Sequence, residues 1–174
     1  MRQTTLPAIN AMKPLATIPF LLALCVGAFA QQAPENPPMH AIGTFQVKIK
    51  PQQADNPDAQ AGGIVRLALD KTFTGALQGQ SHGEMLADSD GSRADGAYVA
   101  IEKFTGTLDG REGSFVLVHR SLMRDGKPEQ WSILVSPGSG TGALAGIDGE
   151  FTINIAGGVH SYDFAYTLPE VSSK

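Results

Sequence analysis

The chain is almost without cysteine. The single one among 174 residues, Cys25, falls in an apolar N-terminal stretch. If that stretch is removed, thiol catalysis, disulfides and thiolate metal sites are excluded from the remainder. Positive charge is also scarce: 13 Lys and Arg against 17 Asp and Glu leave a formal net charge of −4. Nucleic acid and anionic lipid both call for clustered cations, so neither is an expected partner. No segment carries the apolar period of an amphipathic helix. Metal motifs are missing as well, because there is no H-x-H or H-E-x-x-H phrase. Asp88-Ser89-Asp90-Gly91 lacks the spacing and the later Glu of a calcium loop. The glycine-rich phrases precede no helix that could cradle a phosphate, and Ser136 and Ser139 sit in no G-x-S-x-G elbow. No cofactor and no metal site are expected.

What is present begins with a leader. Arg2 and Lys13 give a positive start, Leu15 through Phe29 an apolar run, and Ala28-Phe29-Ala30 an A-x-A cleavage site before Gln31. That layout predicts a secretory signal peptide over 1–30 and a protein that is exported, periplasmic or secreted. The run is too short and too proline-broken for a membrane span. Lipidation of Cys25 would need a small residue before it, where Leu24 stands. Loss of Arg2 and Lys13 takes the formal charge from −4 to −6. Residues 31–39 read as a flexible, proline-rich linker, 40–168 as a single domain and 169–174 as a tail.

Within that domain a phrase recurs three times: Thr74-Gly75-Ala76-Leu77-Gln78-Gly79, Thr105-Gly106-Thr107-Leu108-Asp109-Gly110 and Thr141-Gly142-Ala143-Leu144-Ala145-Gly146. Each offers glycines for a corner and one Leu that could plug the end of a core. Between the corners the chain alternates apolar and polar residues, as in Phe45, Val47 and Ile49 against Thr44, Gln46 and Lys48. Eight strands follow: 40–50, 64–74, 80–87, 97–105, 114–124, 128–135, 150–155 and 159–168. Asp125-Gly126 and Gly157-Gly158 are two-residue hairpin signals. The expected fold is all-β, an eight-stranded antiparallel up-and-down barrel, with a two-sheet β-sandwich as the alternative. The three corners then gather at one end, and any opening belongs at the other, among 51–63 and 88–96.

The runs Tyr98-Val99-Ala100-Ile101-Glu102, Thr105 through His119 (TGTLDGREGSFVLVH) and Ser139 through Gly146 (SGTGALAG) look like a family of uncharacterised bacterial domains. Its members resemble allene oxide cyclase and dirigent proteins in fold. The resemblance covers residues 40–168 and implies a small antiparallel barrel; it carries over no activity and no catalytic residue.

The polar residues on apolar faces are the candidates for chemistry. A four-residue loop at 109–112 would set Glu102 directly opposite His119, a carboxylate and an imidazole able to shift each other's pKa. They are the candidate catalytic pair; the alternative is a buried, mutually satisfied pair that fixes register. Tyr98, Phe104 and Phe115 share that face. On 80–87, Glu84 and His82 share one face, too few for a zinc site. The Gly157-Gly158 turn aligns His160 and Tyr162 along an aromatic wall. The candidate ligand-binding set is therefore Tyr98, Glu84, Phe104, Phe115, His160 and Tyr162.

Strands four to six are apolar on both faces: Val99, Ile101, Val116, Val118, Leu122, Trp131, Ile133 and Val135 all contribute. An outer apolar face needs a cover, either another subunit or residues 31–39 folded back; the expectation is a homo-oligomer that buries the patch. Three functions remain open: an exported barrel that binds a small, mostly apolar molecule, a cyclase or isomerase using Glu102 and His119, and a non-catalytic envelope assembly module acting through the outer patch.

Overall fold

The computed structural model describes residues 37–53, 56–89 and 91–169. The leader, its cleavage point and Cys25 lie outside the described residues. The elements are β1 (Met39–Gln52), α1 (Pro57–Ala61), β2 (Val65–Gly75), β3 (Leu77–Ala87), β4 (Gly96–Leu108), β5 (Arg111–Arg124), β6 (Lys127–Val135), β7 (Thr141–Gly142), β8 (Asp148–Ala156) and β9 (Val159–Thr167). All pairings are antiparallel. The order β4-β3-β2-β1-β9-β8-β6-β5, with β4 also paired to β5, is a closed ring of eight strands. β7 is an extra two-residue strand against the start of β5. Closure decides between the two expected architectures: this is a barrel and not a sandwich. It also removes the exposed strand edges.

Side chains alternate as a closed sheet requires. Phe45, Leu69, Phe73, Phe104, Phe115, Leu117, Ile133, Val135 and Phe151 are buried inside. The half of the barrel nearest the T-G-x-L-x-G phrases is solid. Phe73, Phe104, Phe115, Phe164, Phe151 and Tyr162 form an unbroken chain of ring contacts, with centroids from 4.6 to 6.2 Å apart. Leu77, Leu108 and Leu144, the leucines of the three phrases, are fully buried beneath them. Tyr162 anchors this end: its hydroxyl accepts from Leu77 N (2.8 Å) and donates to Thr74 O (3.3 Å). Gly43 makes room for it, because a Cβ there would stand 2.5 Å from the Tyr162 hydroxyl.

The phrases are alike in their buried leucines but not in their turns. The second ends in a two-residue turn, Asp109-Gly110, with both residues at positive φ (48° and 77°). It is the same turn as Asp125-Gly126 (51° and 73°). The expected four-residue loop at 109–112 is therefore corrected: Leu108 pairs with Arg111, so β4 runs to Leu108 and β5 already begins at Arg111. The third phrase supplies β7 and a turn, not a hairpin. In the polar loop after β1, a short helix forms where none was expected. Asn56 caps it, accepting from the backbone N of Asp58 (3.1 Å) and Ala59 (3.3 Å), and Pro57 fills the first position.

Candidate functional site

The opposite half of the barrel is hollow. A cavity of about 720 Å³ opens between the β3–β4 loop and the β5–β6 and β8–β9 turns. This volume is in the range of small-molecule sites. Its walls are mainly apolar, with Val47, Leu67, Leu69, Met85, Trp131 and Ile153 among them. The opening is at the end expected, bordered by Asp88, Ser89, Gly91 and 93–97, and none of the described residues of 51–63 lines it.

Two polar side chains face this space from the floor, Lys71 and His119. Both belong to a buried constellation around Glu102. Lys71 Nζ donates to Glu102 Oε1 at 2.7 Å, His119 Nε2 approaches the same oxygen at 2.9 Å, and Ser81 Oγ donates to Oε2 at 2.8 Å. The Glu102 side chain is wholly buried, with Lys71 and His119 nearly so. Burial acts to raise the Glu102 carboxyl. The hydrogen bond from His119 and the Lys71 charge outweigh it and bring the pKa from 4.5 down to about 2. The carboxylate is therefore ionised and can only accept, so His119 Nε2 carries a proton and donates. Lys71 Nζ also lies 5.1 Å from the centre of the Phe45 ring.

The backbone explains why these side chains meet. Lys71 faces Ser81 across β2 and β3, and Glu102 lies opposite Gly83 on one side and Leu117 on the other. Gly83 has no side chain to fill the row. A Cβ there would stand 2.5 Å from Glu102 Cβ, so this glycine gives the carboxylate its room. His119 pairs with Ala100, not with Glu102. The corrected turn moves the register by two residues. That keeps both side chains on the inner face and makes them diagonal neighbours.

Of the expected ligand set, Tyr98 and His160 line the cavity. Burial raises the Tyr98 hydroxyl against smaller opposing effects of Trp131 and Ser121. Trp131 Nε1, buried beside it, reaches no hydrogen bond of good geometry. Phe104, Phe115 and Tyr162 lie below, in the solid half, and do not touch the cavity. Glu84 is placed outside the barrel: on β3 the inner positions are Ser81, Gly83 and Met85, and Glu84 forms a forked pair with Arg66 (2.6 and 2.8 Å) on the outer sheet face. His82, also outside, pairs with Asp70 at 2.8 Å, so these two do not converge as ligands. Among the described residues, no group of three or more His, Cys, Asp or Glu is placed to hold a metal.

Residues 41–166 match the family described as "Protein of unknown function (DUF3224)". The chain belongs to the DUF3224 family. A solved structure, that of a DUF3224-family protein of unknown function from Shewanella oneidensis MR-1, is 40% identical. The match covers 77% of this chain and 99% of that one, with a TM-score of 0.68. No curated protein matches.

In this DUF3224 barrel the residues that sequence reasoning missed are Lys71 and Ser81. Lys71 carried a signal. It occupies an inner position between Leu69 and Phe73, where a cation has no business without a partner. Ser81 gave none beyond its strand parity.

Proposed function

We propose that this barrel binds a small, mostly apolar molecule in its open half. The supporting observation is the asymmetry of the interior: one half is closed by stacked rings, while the other holds a cavity of about 720 Å³ with apolar walls and two polar groups on its floor. That is the make-up of a ligand site. The test is energy transfer from Trp131, the single tryptophan of the chain, which lines the cavity. Anthracene-9-methanol is expected to quench it saturably, one molecule per chain. Leu67→Trp would narrow the cavity and is expected to weaken binding by about tenfold or more, measured by the probe's own emission. No saturable binding of the probe would refute the reading.

The resemblance to allene oxide cyclase expected from the sequence implies a barrel alone and transfers no residue. An isomerase with Glu102 as base is not favoured. A carboxylate held at about 2, with three donors on it, has little affinity for a substrate proton at neutral pH.

A second reading, assembly through the outer face, is favoured by one observation. Leu86, Val99, Ile101, Val118, Leu122 and Leu134 are all exposed. They are adjacent: Leu86 pairs with Val99, and Ile101, Val118 and Leu134 form a continuous row over β4, β5 and β6. Trp131, Ile133 and Val135, expected in the same patch, point inward instead. The occupant we propose is a second copy of the chain. The two readings are compatible, because the patch and the cavity lie on opposite faces of the same strands.

A further inference from the structure

The floor of the cavity specifies more than an apolar guest. Lys71 and His119 face the space, whereas Glu102, the anion that balances Lys71, lies behind them and does not line it. The guest therefore meets the positive end of a buried ion pair. An ammonium has three donors and no acceptor; one of those on Lys71 is engaged by Glu102 Oε1. Among the described residues the ammonium makes no second hydrogen bond, and its other neighbour is the Phe45 ring, 5.1 Å from Nζ. His119 donates through Nε2, which leaves Nδ1 of the neutral ring as an acceptor. The charged groups at the rim are occupied by the loop itself. Asp88 accepts from Ala97 N (2.6 Å) and pairs with Arg93 (3.4 Å), and Asp95 accepts from Asp125 N (2.8 Å). Among the described residues two donors facing the cavity are unengaged, the Lys71 ammonium on the floor and Trp131 Nε1 on the wall, and of these only Lys71 carries a charge.

We infer that the molecule bound here is an apolar acid, with its apolar body against the walls and a single acidic group, such as a carboxylate, seated on Lys71. This rests on the reading of the cavity as a ligand site and adds the chemical class of the ligand. An acidic oxygen at that depth would complete the coordination of the ammonium by a charge-assisted hydrogen bond in a place shielded from water, where such bonds are strongest. Glu102 then has a positioning role. It holds Lys71 and His119 side by side and never touches the guest.

The test compares anthracene-9-carboxylate with its neutral counterpart anthracene-9-methanol on the full-length wild-type protein, by quenching of Trp131. The carboxylate is expected to bind about tenfold or more tightly than the alcohol, the range of a charge-assisted bond. In Lys71→Met/Glu102→Gln, which removes the ion pair as a unit, the two probes are expected to bind equally, with the affinity for the alcohol retained. Should that variant fail to fold by circular dichroism, Lys71→Gln, which can still donate to Glu102 but carries no charge, is expected to lose the preference. Equal wild-type affinity for the two probes would overturn the acid anchor and leave the cavity reading standing. Binding of neither would overturn both. A preference undiminished in the variants would overturn the assignment to Lys71.

Discussion

Glu102 is the residue on which most of the interior polarity depends, and its titration gives a direct prediction. Its carboxyl ionises at 4.5 ordinarily and at about 2 in the barrel. The stability it contributes is complete above pH 4.5 and is lost as pH falls through 2. The difference corresponds to ~3 kcal/mol. Urea midpoints measured from pH 6 down to 2.5 are expected to fall more steeply for wild type than for Glu102→Gln. Parallel curves would contradict the assignment. Asp70, also lowered by its His82 hydrogen bond, is exposed and contributes equally to both curves. Lys71→Met alone leaves a buried carboxylate without its cation and is expected to cost ~3–5 kcal/mol. Adding Glu102→Gln should recover a large part of that loss, read as coupling in a double-mutant cycle. If the two changes add independently, the pair does not interact as described.

At the scale of elements, the close approach of β3 to β4 makes Gly83 a sensitive position. Gly83→Ala places a methyl against Glu102 Cβ and the Ile101 carbonyl, so the strands must part or the carboxylate must shift. A loss of ~1–3 kcal/mol is expected, seen as a lower melting temperature. An unchanged melting point would show that the row has slack.

Strand order and faces were legible in the sequence because the period of two is strict on β1, β2, β8 and β9. The Asp125-Gly126 and Gly157-Gly158 turns were readable from glycine alone. The register of β4 against β5 was misread, although Asp109-Gly110 is the same dipeptide as Asp125-Gly126. The repeated phrase around it suggested a longer corner. On β6 the parity breaks. Between Arg120 and Leu122 the register shifts, and Gln130 takes a positive φ of 47°. This bulge turns Trp131 inward while Glu129 stays outside, and no residue type announces it. For the site, Glu102 and His119 could be found from strand faces. Lys71 required trusting the alternation over the expectation that lysine faces water.

For the molecule as a whole, the outer aliphatic rows carry the remaining prediction. Light scattering after size exclusion at micromolar concentration is expected to give twice the chain mass. Val99→Lys/Ile101→Lys, on exposed positions that the interior does not feel, is expected to give the single-chain mass with an unchanged melting temperature. A wild-type monomer would remove the second copy as the occupant of this face.

Closure of the ring has one more result. Its last seam joins the first strand to the final one, with Met39 opposite Tyr166. Both leads of the chain therefore depart from the pole sealed by Leu77, Leu108 and Leu144, and the cavity mouth faces the other way. The barrel is a cup with its base at that pole. Fastened to a support at that base, it would hold its rim toward the solution, and β1 and β9 could be joined there without altering the cavity walls.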